Sequence, residues 1–264
     1  MACKDLKTYA GELYINAGEQ EEDISVDKYG HLLVDKVAQT LQIVLEENPL
    51  PFELQDFQKL TLHALVSGEN VILISPTGSG KMIVAFLAIK LLQKLNNIPN
   101  GVGVGTQPLS SIMEEKLQNS YVRTGVISMK GGLKTCNVDE LELSEPLEDF
   151  KTGRIPCLLG HAESWISPVA QDILENLHKN GLVLFSFVDE AHITLTDHCD
   201  RFRPHLKLVP GELRAKTIRG APCLAMTATL TPVEITELKK NLGLRSNVVV
   251  LQANPIQDHY KFVR

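Results

Sequence analysis

VILISPTGSGKM, residues 71–82, decides the fold. Four apolar, mostly branched residues, Val71 to Ile74, read as a buried strand. Ser75 to Gly80 breaks it with proline and two glycines, and an amphipathic segment opens near Lys81. In that setting the glycines let backbone N–H groups turn inward toward an anion, and the start of the following helix adds partial positive charge. The loop from Thr77 through Gly78, Ser79 and Gly80 to Lys81 and Met82 is therefore a candidate phosphate cradle, with the Lys81 ammonium reaching the β- and γ-phosphates. The same string without a ligand is a glycine-rich turn from strand to helix.

Working outward, short β-rich runs alternate with amphipathic segments: Val71 to Ser75, Val102 to Thr106, Val126 to Met129, Pro156 to Leu159, Leu182 to Val188, Cys223 to Met226 and Val248 to Leu251. Alternation of this kind predicts an α/β fold, a mainly parallel β-sheet flanked by crossover helices. Helix starts are written in capping chemistry. Ser111 with Glu114 and Thr231 with Glu234 have capping-box spacing, and Pro168 and Pro232 suit a first turn. Asn180-Gly181 and Gly243 suit helix ends. Ahead of the first strand, Leu32 to Leu45 has helical periodicity and stops at Asn48, Pro49 and Pro51. Gly101, Gly103 and Gly105 read as softening the strand that Val102 to Thr106 form, not as a second nucleotide loop. The charged stretch from Gly131 to Arg154 has no clear period and reads as an excursion from the sheet.

The chain has 264 residues, 44% of them apolar and 22% charged, with a formal charge of −6. That balance suits a soluble globular protein and excludes bulk electrostatic coating of nucleic acid, so any such contact needs a local groove. Cys3, Cys136, Cys157, Cys199 and Cys223 are scattered without a CxxC pair, which points away from a zinc ribbon or a disulfide framework. Nothing in the sequence approaches a membrane span or a signal core. An intracellular setting without membrane contact is the expectation.

Two further motifs fall at strand ends. FVDEAH, Phe187 to His192, places Asp189 and Glu190 where ligands of open α/β sheets collect. Asp189 suits the shell of a magnesium ion, and Glu190 suits positioning and activation of an attacking water. An Asp-Glu pair alone is more often the solvated start of a loop, and a lone His192 more often a structural histidine. AMTATL, Ala225 to Leu230, offers the hydroxyls of Thr227 and Thr229 at a third strand end, where they could bond the acidic motif and transmit nucleotide state.

In this order the three motifs resemble motifs I, II and III of superfamily-two helicases, and most closely the RecQ family, over about residues 50 to 264. The resemblance implies a RecA-like P-loop domain that binds ATP and Mg2+ and works on single-stranded or forked DNA as part of a 3′-to-5′ DNA helicase, in the nucleus. It also implies catalytic roles for Lys81 and Glu190, the metal at Asp189, and coupling through His192, Thr227 and Thr229. Gln58 looks like the family's adenine-sensing glutamine. QPLSSIMEEK, Gln107 to Lys116, resembles a segment on the DNA side, which implicates Pro108, Leu109 and Ser110. RFRP, Arg201 to Pro204, resembles the close of the family's aromatic-rich loop and adds Arg203.

The same resemblance divides the chain into an N-terminal acidic arm and helix over 1–50, the ATP-binding domain over 51–251, and over 252–264 the start of a hinge to a second RecA-like domain. It also exposes departures. Met82 stands where the family has serine or threonine, and a soft thioether cannot replace a hydroxyl on hard Mg2+. ITLTDHCD, Ile193 to Asp200, lacks the tryptophan and glutamine of the family loop, and Ala162-Glu163 matches its "PE" motif only in part. Two readings therefore stand beside the helicase ATPase. One is a degenerate module that binds nucleic acid or protein without hydrolysis; the other, a small-molecule P-loop kinase, does not require the second and third motifs together.

Overall fold

The computed structural model describes residues 30–107, 122–129, 141–195, 205–244 and 248–253. Within them lie eight strands: β1 (Asn70–Ile74), β2 (Val102–Thr106), β3 (Thr124–Met129), β4 (Leu141–Leu143), β5 (Cys157–Gly160), β6 (Val183–Val188), β7 (Cys223–Thr227) and β8 (Val248–Gln252). They form one sheet in the order β4-β3-β5-β2-β6-β7-β1-β8. Every pairing is parallel except that of β3 with β4. The α/β expectation is met, and each of the seven runs read from the sequence is a strand.

The helices are α1 (Gly30–Glu47), α2 (Asp56–Val66), α3 (Lys81–Leu95), α4 (Leu147–Lys151), α5 (Ala162–Trp165), α6 (Pro168–Lys179), α7 (His205–Ala215) and α8 (Pro232–Asn241). A 3₁₀ turn spans Ala191–Leu195. The capping chemistry operates as written. Ser167 Oγ accepts from Ala170 N at the start of α6, and Thr231 with Glu234 makes a complete capping box on α8. Asn180 caps the end of α6, and Gly181 and Gly243 follow α6 and α8 with φ of 65° and 60°. The Ser111–Glu114 box lies outside the described residues.

Apolar runs are continuous because both faces of the sheet are covered. Val71 and Leu73 of β1 face the cluster built with α2 and α3, while Ile72 and Ile74 face the cluster under α8. A third cluster joins Val102 and Val104 of β2 to Trp165 of α5, Ile173 of α6 and Val209 of α7. Among the described residues no helix is long and apolar enough to cross a membrane.

The glycines of β2 are a packing device. Gly103 and Gly105 lie in register with Phe185 and Phe187 of β6, whose rings stack with centroids 5.6 Å apart. A Cβ on Gly105 would come within 2.3 Å of the Phe187 ring, and one on Gly103 within 2.5 Å of Ile89. The missing side chains thus make room for large ones on the neighbouring strand and on α3. Gly105→Ala should destabilise the protein by about 1–3 kcal/mol despite alanine's lower unfolded-state entropy, and lower Tm by roughly 2–10 °C. An unchanged melt would mean that Phe187 has room to yield.

The stretch 131–154, read as an excursion, is in its described part the edge of the sheet. β4 runs antiparallel to β3, Ser144 Oγ accepts from Val126 N at 2.8 Å, and Phe150 of α4 is fully buried. Exposed ion pairs tie the edge together: Arg123 to Glu145 at 2.8 Å and to Asp149 at 3.0 Å, and Arg154 to Asp149 at 3.1 Å. The hydrogen bonds from Arg154 and Arg123 hold the Asp149 carboxyl below the usual carboxylate range.

Candidate nucleotide site

β6, β7 and β1 are adjacent and parallel, so the residues that follow them emerge side by side at one edge of the sheet. After β1 the chain turns through Gly78 and Gly80, with φ of 81° and 82°, a region that glycine enters without the steric penalty of a Cβ. Gly80 is doubly constrained, because a Cβ there would lie 2.8 Å from Gln58 Nε2. Gly80 is also the N-cap of α3 and brings no side chain to the cap; α3 has no acidic residue in its first turn. A fifteen-residue helix thus opens toward the loop with its positive end uncapped by a side chain.

Lys81 is 7% exposed, and its Nζ donates to the carbonyls of Ser75 at 2.8 Å and Pro76 at 3.0 Å. The ammonium is folded over the mouth of its own loop. Ser75 Oγ and Ser79 Oγ bond each other inside it. Gln58 is buried, not a solvated helix residue. Its Oε1 accepts from Gln55 N at 2.8 Å, and its Nε2 donates to the carbonyls of Ser79 at 3.3 Å and Gly80 at 3.4 Å. The amide that caps α2 therefore also braces the loop. Met82 is 8% exposed and packs in the apolar cluster with Val84, Ala85 and Leu73.

At the end of β6, Asp189 N donates to Thr106 O at 3.0 Å, extending the sheet by one residue, and the residue is 5% exposed. Its Oδ1 accepts from Glu190 N at 3.1 Å. Glu190 has φ of 51°, a left-handed conformation that costs a non-glycine residue on the order of 1 kcal/mol or more. The Asp189 bond and the turn closed by Ile193 N on Glu190 O, at 3.0 Å, hold it there.

Glu190 Oε2 lies 3.4 Å from His192 Nδ1, and the same nitrogen is 2.9 Å from Thr227 Oγ1. Thr227 Oγ1 donates to Thr229 O at 3.2 Å. One hydroxyl has one proton, so with that proton on Thr229 O the oxygen accepts from His192 Nδ1–H. The proton on Nδ1 also suits the facing carboxylate. Thr227 reaches the loop as well, because its carbonyl accepts from Ser75 N at 2.9 Å. Fully buried Thr227 thus joins all three strand ends.

The sequence expectations come together unevenly. Gln58, Thr77, Gly78, Ser79, Gly80 and Lys81 form one loop and its brace, while Asp189, Glu190, His192 and Thr227 form one cluster beside it. Thr229 takes part through its carbonyl, not its hydroxyl, and its side chain is exposed. Pro108, Leu109, Ser110 and Arg203 lie outside the described residues. Sequence reasoning missed the Ser75–Ser79 pair and the nearness of Glu234 to His192. The Glu234 carboxyl is held low by its bonds to the Thr231 backbone and hydroxyl, with the His192 charge adding to them. It also missed Gln107, whose side-chain amide is buried without a partner among the described residues. Only the capping box at Thr231 carried a legible signal.

Among the described residues no group of three or more His, Cys, Asp or Glu could by itself hold a metal. Mg2+ is commonly held by one or two carboxylates together with substrate phosphates and water, so its binding does not require such a group. Asp189 is the buried carboxylate at the end of β6.

The family described as DEAD/DEAH box helicase matches residues 55–238. No curated protein sequence matches the chain. Among solved structures, a hypothetical ATP-dependent RNA helicase from Sulfolobus tokodaii is similar, at 12% identity and TM-score 0.51, over 80% of this chain and 56% of that one. The DUF1998 helicase MrfA is similar at 15% identity and TM-score 0.51, over 81% of this chain and 32% of that one. MrfA bound to DNA and AMPPNP gives 15% identity and TM-score 0.55, over 82% and 29%. The chain therefore spans between about a third and a little over half of these proteins.

Proposed function

Because the chain belongs to the DEAD/DEAH box helicase family and carries its ATP-binding domain, we propose that it is the nucleotide-hydrolysing half of a RecQ-like 3′-to-5′ DNA helicase. The observation that carries this reading is Thr227, whose carbonyl holds the phosphate loop at Ser75 while its hydroxyl holds His192. A loop built only to bind phosphate needs no such link. A motor does, because hydrolysis at one edge has to be felt where nucleic acid is held.

In this proposal the backbone N–H groups from Thr77 to Gly80 and the open start of α3 receive the phosphates. Lys81 moves from the carbonyls of Ser75 and Pro76 onto the β- and γ-phosphate oxygens. Gln58 keeps the loop in shape and lies where adenine would be read. Asp189 would hold Mg2+, which would supply charge neutralisation at the phosphates. Glu190 orients a water and takes its proton as the water oxygen attacks the γ-phosphorus. The bond from phosphorus to the β-bridging oxygen breaks, leaving ADP and inorganic phosphate. Glu190, His192 and Thr227 then pass the change in charge to the neighbouring strand ends. DNA would lie along Pro108, Leu109, Ser110 and Arg203, and a second RecA-like domain would form the other wall of the cleft. Of the structural neighbours, one is named as an RNA helicase and another is bound to DNA.

Met82 favours a second reading. Its thioether is packed into the core where the family pattern has a hydroxyl, so Mg2+ would lack one inner ligand from the protein. On that reading the domain binds nucleotide without turning it over. Phosphate release from Mg2+-ATP, with and without single-stranded DNA or RNA of equal length, separates the two. Turnover stimulated at least severalfold by DNA, and less by RNA, is the expected result. Nucleotide binding with no turnover under any condition would establish the second reading instead.

A further inference from the structure

At the opposite edge of the sheet, away from the phosphate loop, two glycine turns feed adjacent strands. Gly68, with φ of 85°, leads into β1, and Gly220, with φ of 82°, leads into β7. Between them a cavity of about 330 Å³ opens, lined by both glycines, Asn70, Thr217, Arg214 and Arg219 among others. None of the lining residues is acidic.

Its side-chain chemistry is one-sided. Asn70 Oδ1 accepts from Cys223 N at 3.1 Å, so only the amide –NH₂ of that side chain is left to offer. Arg214 is oriented by the bond from Nη1 to Gly243 O at 2.7 Å, and its Nε is buried with no partner among the described residues. Thr217 Oγ1 donates to Arg214 O at 2.7 Å and so fixes the end of α7 that carries the arginine. Arg219 is exposed at the rim. Two arginines and an asparagine thus line one cavity with no acid among the lining residues. Guanidinium forks fit the oxygens of phosphate, and two of them match a doubly charged group.

We propose that this cavity is a second anion site, which takes a phosphate group through Arg214, Arg219 and Asn70. It is distinct from the nucleotide loop, since β1 and β7 separate the two by their full length. The phosphate comes either from a free small anion or from a nucleic-acid backbone, and the experiment tells these sources apart.

The test is a titration followed by the backbone amide resonances of the glycines, which report on the two sites separately. Pyrophosphate and, in a second arm, a single-stranded oligonucleotide are added to the full chain and to Arg219→Ala. Arg219 is a surface residue, so its removal leaves the core untouched. Saturable shifts at Gly68 and Gly220 are expected, with affinity roughly tenfold lower in Arg219→Ala, while Gly78 and Gly80 respond alike in both proteins. A response to pyrophosphate identifies a free-anion site, and a response to the oligonucleotide alone identifies a backbone phosphate. Silence at Gly68 and Gly220 in both arms, or equal affinity in Arg219→Ala, overturns the proposal.

Discussion

Glu190→Gln is expected to slow ATP hydrolysis by a factor of roughly 100 or more while leaving ATP affinity within about threefold, because an amide cannot take the proton of the attacking water. Its geometry makes the effect separable from folding. Glu190 sits at φ of 51° through backbone bonds to Asp189 and Ile193, none of which uses its own side chain. The glutamine keeps the size and the conformation of the original residue, so the melting temperature should hardly move. The side chain's visible engagement is the 3.4 Å approach to His192 Nδ1, which a glutamine oxygen can still accept. Single-turnover phosphate release gives the rate, and nucleotide titration gives the affinity. A variant that hydrolyses at the parental rate would remove Glu190 from the chemistry and leave its strained backbone without a purpose. A variant that loses affinity and rate together would make it a binding residue.

The parallel core was legible because a sheet covered on both faces writes itself as continuous apolar runs, and β1, β6 and β7 are among the most apolar segments of the chain. The edge was not. β4 is three residues long and has no period to detect, and it is recognisable only through its tertiary partners, Ile127, Ser128 and Met129 of β3. The glycines of β2 were legible as a departure from a branched strand, but their reason lies in Ile89 of α3 for Gly103 and in Phe187 of β6 for Gly105, which become neighbours only through the fold.

The site divides in the same way. Glycine at positive φ and acids at a strand end are local requirements, so Gly78, Gly80, Asp189 and Glu190 could be named from spacing. Contacts between motifs are not local. That Thr229 offers a carbonyl, that Ser75 N binds Thr227 O, and that Gln58 braces Ser79 and Gly80 follow from strand order and from the placing of α2. Met82 shows the limit most clearly. The family pattern makes it a missing metal ligand, while its burial beside Leu73 and Val84 makes it a core residue, and only the structure adds the second statement to the first.

The central claim is that the loop from Thr77 to Lys81 holds the phosphates of ATP, and Lys81→Ala tests it most directly. The Lys81 ammonium is nearly buried and rests on the carbonyls of Ser75 and Pro76. Its place over the loop mouth puts it within a short movement of any phosphate seated there. Without it, the phosphate charge meets backbone donors and the helix end alone, at a cost of about 1.5–3 kcal/mol for a charge-assisted bond, or roughly a tenfold to hundredfold loss of affinity. The measurement is titration of a fluorescent ATP analogue into the parent chain and Lys81→Ala in the presence of Mg2+, with melting curves to show that both are folded. The account predicts saturable binding by the parent and at least tenfold weaker binding by a folded variant. Equal affinities, or no binding by the parent, would contradict it.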